Sequence, residues 1–164
     1  MIQVNDVIPA LTVQVVRKGQ EVHTISTESL FQKKTLLVSI PGAFTPVCST
    51  MHIPGLIQKM PQLMANGVEQ IGCLTVNDPF VVSIWAEQLN APSELFFLAD
   101  GNIEFTEATG LTFDGTASCL GKRARRMAML IHRLKVEKMW VEPDTTFCTI
   151  SSAVFILNDL LHPQ

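Results

Sequence analysis

Residues 35–40 read Thr-Leu-Leu-Val-Ser-Ile, and the run stops on Pro41-Gly42. An almost unbroken apolar hexamer that lacks polar alternation is the pattern of a β-strand buried on both faces. Such a strand needs a layer of cover on each side, which points to a sheet sandwiched between helices. The chain repeats the arrangement. Residues 68–76 and 95–98 are further apolar strand-sized runs. After Thr45-Pro46 the pattern turns helical to about Met64, with a kink expected at Pro54-Gly55. Asn77-Asp78-Pro79 reads as a cap and first-turn proline opening a helix through Gln88. A short helix is expected over 103–109, ending at Gly110. Residues 11–16 alternate as a strand, and residues 127–131 and 136–141 form the arms of an antiparallel pair. A last helix follows the serines at 151 and 152. The expected fold class is therefore α/β, with a mixed central β-sheet flanked by helices.

At 164 residues the chain has the size of one domain, taken as residues 1–164. Its 12 basic and 15 acidic residues lack the basic footprint that nucleic-acid binding requires. The longest apolar runs are strand-sized, so no membrane span is expected, and the N-terminus has no secretory pattern. Charged residues make up only 16% and hydrophobic residues 47%, a balance that favours burial of surface by self-association. Four cysteines lie far apart, without a CxxC pair or a zinc-ligand spacing. They are too sparse for a secreted disulfide scaffold, so a reducing, cytoplasmic setting is expected.

The segment from Pro41 to Thr50 carries the most chemistry. It joins the end of a buried strand to the start of a helix, where ligand sites of open α/β sheets gather. With Thr45 as N-cap and Pro46 as first helical residue, Cys48 is the third, and its N–H is an unclaimed helix-start donor. The helix dipole there favours a thiolate and is expected to lower the thiol from its free value of about 8.5. The residues taken singly also allow a plainer account. A free cysteine is usually a small core hydrophobe, Thr45 a cap and Pro41 a strand terminator.

Four segments decide between these accounts. Pro41-Gly42-Ala43-Phe44-Thr45-Pro46-Val47-Cys48-Ser49 resembles the active-site signature of peroxiredoxins in its type II (Prx5) form. The resemblance continues through His52-x-Pro54-Gly55, through residues 75–80 with Trp85, and through Gly121-x-Arg123-x-Arg125-Arg126. It is colinear from about Val4 to Leu160. It implies a thioredoxin-like fold and a thiol peroxidase that reduces hydrogen peroxide and small alkyl hydroperoxides, with no cofactor and no metal. Residue by residue it makes Cys48 the peroxidatic nucleophile, assisted by Thr45, Pro41 and Arg126, with Arg125 as the fallback arginine. The Thr45 hydroxyl is expected to accept from the helix start and donate to peroxide or sulfur. The product is a sulfenic acid on Cys48.

For the return step the resemblance offers Cys73, just before Val76-Asn77-Asp78, and Cys148, which lies in the loop used by another branch but about two residues early. The third route is an external thiol: glutathione, glutaredoxin or thioredoxin. We expect the external route. Cys119 matches no family role and is expected to be structural. A homodimer is also implied.

Some departures touch packing. The chain has no tyrosine, Met127 stands where an aromatic is usual, and the turn at 131–135 lacks the acidic-glycine pattern. His52 lies four residues after Cys48 and is expected to pack or hydrogen-bond, while His23, His132 and His162 suggest surface positions. Two other functions use the same cysteine. A non-enzymatic redox sensor would not need transition-state donors at Thr45 and Arg126, and a cysteine hydrolase would need an acidic orienter that the sequence does not place.

Overall fold

The computed structural model describes residues 1–163. Seven strands form one mixed sheet: β1 (Thr12–Val16), β2 (His23–Ser26), β3 (Thr35–Ile40), β4 (Gln70–Thr75), β5 (Leu95–Ala99), β8 (Met127–His132) and β9 (Lys135–Val141), in the order β2-β1-β5-β4-β3-β8-β9. The three central strands β3, β4 and β5 run parallel, and the outer pairs are antiparallel. All six residues of β3 are buried, as a strand covered on both faces must be. Its side chains alternate between two cores. Leu36, Val38 and Ile40 meet Ile53, Leu56, Trp85 and Ile156 on one face, whereas Leu37 joins Phe31, Phe96, Phe105 and Met129 on the other.

Helices α2 (Ile53–Ala65), α3 (Pro79–Gln88) and α5 (Ala153–Leu161) supply the first face, and the one-turn α1 (Thr27–Leu30) and α4 (Glu104–Ala108) serve the second. Asp78 caps α3 by accepting from the N–H groups of Phe80 and Val81, and Ser152 caps α5 through Phe155 N–H. Within β4, Gly72 is required because a Cβ there would enter the Phe96 ring. No helix among the described residues is long and apolar enough to cross a membrane.

The sheet contains more than the apolar pattern indicates. Edge strand β2 is polar and half-exposed, so it carries no burial signal. A separate hairpin, β6 (Thr112–Asp114) with β7 (Lys122–Ala124), occupies a segment in which no strand is expected from the sequence. The β8–β9 turn closes despite its lack of glycine. Arg133 and Leu134 both take positive φ, 49° and 68°, as a two-residue primed turn demands. Bonds from Leu134 N–H to the Phe31 carbonyl and from Ile8 N–H to the Leu134 carbonyl hold it there.

Candidate active site

Ile40 ends β3 at the rim of the sheet, and the chain then bends back through a short loop. Phe44 in that loop has φ 62°, a left-handed conformation uncommon for a bulky residue. Two contacts stabilise it. Ala43 N–H donates to Asn77 Oδ1 (2.9 Å), and the Phe44 ring lies against Trp85, with centroids 6.4 Å apart. Pro41 is buried, and its carbonyl accepts from Arg123 Nη1 (3.4 Å). Arg123 approaches so closely that a Cβ on Gly42 would meet its Nη1 at 2.8 Å, so a larger residue at 42 would displace the end of that side chain.

Helical structure starts at Pro46, which places Cys48 third in the helix. The Thr45 carbonyl accepts from Ser49 N–H (3.0 Å), as a helix-boundary residue should. Its hydroxyl differs from expectation. It donates back to the Gly42 carbonyl (2.7 Å) and takes no bond from the helix start. The loop turns tightly enough to bring that carbonyl closer to the hydroxyl than the helical N–H groups. The expected kink also takes another form. Cys48–His52 is a π-helical turn, and Pro54 follows in the first turn of α2. Isolated π turns are rare and concentrate at functional sites.

Cys48 is 0% exposed, and beside it lies Arg126, 2% exposed. Of the neighbouring arginines it is Arg126, at the head of β8, that reaches the sulfur. Its Nη2 donates to Cys48 Sγ at 3.3 Å. Arg125 is only half-buried, and its backbone pairs with Leu111 and Ser39. Arg126 is fixed at every nitrogen, because Nε donates to the Thr145 carbonyl (2.9 Å) and Nη1 donates to His52 Nδ1 (3.1 Å). A guanidinium carries five N–H groups and accepts nothing, so these three bonds leave two donors for a substrate.

The same rule fixes the tautomer of His52. Its Nδ1 must accept from Arg126, so the proton is on Nε2, which donates to the Ser151 carbonyl at 3.0 Å. Burial, and then the Arg126 charge, push His52 down to about 4, so the ring is neutral near pH 7. Ser151 is in turn held by Glu142, a carboxylate 1% exposed. Glu142 Oε1 accepts from Ser151 N–H and Oγ (both 2.8 Å) and from Thr149 N–H (2.6 Å), and Oε2 accepts from Thr149 Oγ1 (2.8 Å). Burial alone would raise Glu142, but the bonds from Ser151 and Thr149 together outweigh it and hold the group below the usual carboxylate range.

The remaining cysteines occupy different settings. Cys73 is 0% exposed in the middle of β4, registered between Val38 and Phe97, and burial pushes its thiol well up. Cys148 is half-buried in the loop between Glu142 and Ser151, and burial raises it as well. Cys119 is exposed at the end of a single 3₁₀ turn, so it fills no core and the expectation of a structural role fails there. Among the described residues no group of histidines, cysteines and carboxylates could hold a metal ion.

Sequence reasoning missed Asn77, Thr145, Ser151 and Glu142 as parts of this site. Asn77 stands within the segment that carries the family resemblance. The other three belong to a polar loop without a pattern of its own.

Comparison with known proteins agrees with this geometry. Residues 3–157 match the redoxin family. Peroxiredoxin-2B of Arabidopsis thaliana is 42% identical over 160 residues, covering 97% of this chain and 98% of that protein. Among solved structures, reduced Prx3 of Vibrio vulnificus in complex with hydrogen peroxide superposes with a TM-score of 0.89 at 38% identity, covering 99% of this chain and 98% of the other. The antioxidant protein of Plasmodium falciparum, a 1-Cys peroxiredoxin, gives 0.90 at 30% identity over 99% and 100% of the two chains. A thioredoxin-like sheet, a helix-start cysteine under a buried arginine and full-length similarity to Prx5-type relatives have one common account: this chain belongs to the peroxiredoxins, the thiol peroxidases of the redoxin family.

Proposed function

We propose that Cys48 is the peroxidatic nucleophile and that Arg126, Thr45 and Pro41 complete its site. The observation that carries this reading is the bond from Arg126 Nη2 to Cys48 Sγ, inside a guanidinium fixed on all three nitrogens. The Cys48 thiolate attacks one peroxide oxygen, so that an S–O bond forms as the O–O bond breaks. Sulfur is oxidised to the sulfenate, and the second oxygen leaves as hydroxide or alkoxide and takes a proton. Negative charge spreads along the S···O···O line, and preaimed donors stabilise it without reorganising. The two unused N–H groups of Arg126 and the helix-start N–H of Cys48 are such donors. Thr45 keeps the loop closed through Gly42, and its oxygen retains lone pairs to accept a peroxide O–H. Pro41 walls the site against water. Hydrogen peroxide and small alkyl hydroperoxides suit so enclosed a sulfur.

The sulfenate is returned to a thiol by an external reductant: glutathione, glutaredoxin or thioredoxin. Condensation with its thiol releases water and leaves a mixed disulfide that a second thiol reduces. The burial of Cys73 within the central sheet supports this route, as does the likeness to a 1-Cys peroxiredoxin. One observation favours a second reading. Thr145 and Ser151, on either side of Cys148, contact Arg126 and His52, so a modest opening of that loop would present Cys148 to Cys48.

A single assay tests the nucleophile. Peroxide consumption with a thiol donor is expected to fall to background in Cys48→Ser and to stay within about twofold of wild type in Cys73→Ala, because a buried thiol outside the site contributes packing alone. Equal rates in wild type and Cys48→Ser would sink the assignment. Mass spectrometry of the same samples separates an external adduct on Cys48 from a Cys48–Cys148 disulfide.

A homodimer fits the surface, and four free cysteines suit a reducing, cytoplasm-like compartment. Phe44, Met51, Phe80 and Ile84 are 45%, 60%, 78% and 64% exposed around the active-site loop and the outer face of α3. Light scattering at twice the chain mass supports the pairing, and a monomer at micromolar concentration removes it.

A further inference from the structure

We propose that Glu142 is a positioning residue for peroxide reduction: it clamps Thr149 and Ser151 so that the Ser151 carbonyl fixes His52, and His52 fixes Arg126 against Cys48. This rests on the roles assigned above to Cys48 and Arg126.

The chain of contacts is continuous and polar throughout. Glu142 follows β9 directly, and its own N–H donates to the Arg126 carbonyl (3.1 Å), so its backbone is already tied to the residue it serves. Its carboxylate then gathers four donors from Thr149 and Ser151 at 2.6–2.8 Å. No cation pairs with it among the described residues, so hydrogen bonds alone compensate for its burial. Loop residues 143–150 have little apolar anchorage, and Phe147 is 60% exposed. The clamp therefore gives the loop its shape. Two carbonyls of that loop, at Thr145 and Ser151, do the holding: one takes Arg126 Nε directly and the other takes the His52 proton.

Released from Ser151, His52 keeps only its bond to Arg126, and the second anchor that holds the ring's orientation and its proton on Nε2 is gone. An imidazole with its proton on Nδ1 turns a donor toward the Arg126 guanidinium, which has no lone pair to accept it. Arg126 then has to move, and a misplacement of about 1 Å in a reacting group costs on the order of a hundredfold.

The role assigned to Glu142 is geometric, and that makes it testable. Gln at 142 keeps one carbonyl oxygen for Ser151 and Thr149 N–H, and its amide can donate to a Thr149 hydroxyl that rotates to accept. The measurement is the rate of Cys48 oxidation by hydrogen peroxide in stopped flow. The fluorescence of Trp85 reports it, because its Nε1–H donates to Ser49, next to Cys48. Glu142→Ala is expected to oxidise roughly ten- to a hundredfold more slowly, and Glu142→Gln to stay within about threefold of wild type. In an Arg126→Gln background Glu142→Ala is expected to add no further slowing, since it acts through Arg126.

The proposal is overturned if folded Glu142→Ala oxidises at the wild-type rate, if Gln is as slow as Ala, or if the slowing persists in full without Arg126. Should Glu142→Ala not fold, Ser151→Ala decides. Loss of one clamp bond is expected to slow oxidation about threefold to tenfold, and an unchanged rate overturns the proposal equally. If Arg126→Gln itself oxidises like wild type, the assignment of Arg126 has failed and the clamp falls with it.

Discussion

Cys48 and Cys73 are both 0% exposed, both lie against the same apolar core, and both are free thiols. They differ in what else reaches the sulfur. Cys73 sits mid-strand, where neighbouring backbone groups are spent on sheet pairing and the side chain meets Val38 and Phe97 in register. Its one polar contact is a weak 3.9 Å approach to the Leu74 carbonyl, an acceptor that offers nothing to an anion. Burial without a donor disfavours the thiolate, and the Cys73 thiol is pushed well up. Cys48 sits where a strand has ended and a helix has barely begun, so backbone donors are unclaimed and a guanidinium can enter. Burial does not separate these two cysteines; the donors buried beside Cys48 do.

Removing the donor is the most direct way to break that contrast. Arg126→Gln keeps a buried polar side chain but loses the cation, which places Cys48 in surroundings much closer to those of Cys73. The second-order rate of Cys48 oxidation is expected to fall roughly 10²- to 10³-fold, the usual cost of deleting one transition-state donor. Stopped-flow oxidation of variant and wild type at matched pH measures it. A fall of less than about threefold would mean that the helix start alone activates the sulfur.

The contrast between the cysteines also marks what the sequence discloses. Cys48 is legible because its signals are local. A buried hexamer, Pro-Gly, then Thr-Pro two residues before the cysteine fix strand end, loop and helix start within ten positions. Most strands of the sheet are legible from the same kind of apolar run, though not their order, and the missed elements, β2, α1 and the β6–β7 hairpin, are short. The support behind Arg126 is not legible in that way. His52 and Arg126 are 74 positions apart, His52 and Ser151 are 99 apart, and no periodicity joins them. Even Thr45, correctly placed at the helix boundary, directs its hydroxyl to Gly42 for reasons of loop geometry that no propensity encodes.

His52 gives a smaller effect that sharpens the same comparison, because it bonds the arginine beside Cys48 and ties the stability of that side to pH, whereas the strand partners of Cys73 are the apolar Val38 and Phe97. The His52 ring is pushed from 6.5 down to about 4, first by burial and then by Arg126. Between these values the unfolded chain binds a proton that the folded protein refuses, so stability rises with pH across the window and is lost as pH falls through it. The full contribution amounts to about 3 kcal/mol, accumulating at ~1.4 kcal/mol per pH unit. Glu142, held low, acts in the same direction but below its ordinary value of 4.5, so the upper part of the window belongs to His52. Urea denaturation between pH 7 and pH 5 is expected to show this slope in wild type. It should show little of it in His52→Gln, where the side chain can still bridge Arg126 and Ser151 without titrating. Arg126→Gln is expected to lie between the two, because the guanidinium is the second cause of the shift and burial, the first, remains. An unchanged slope in His52→Gln would assign the acid sensitivity to another part of the molecule and leave the His52–Arg126 bond without a thermodynamic signature.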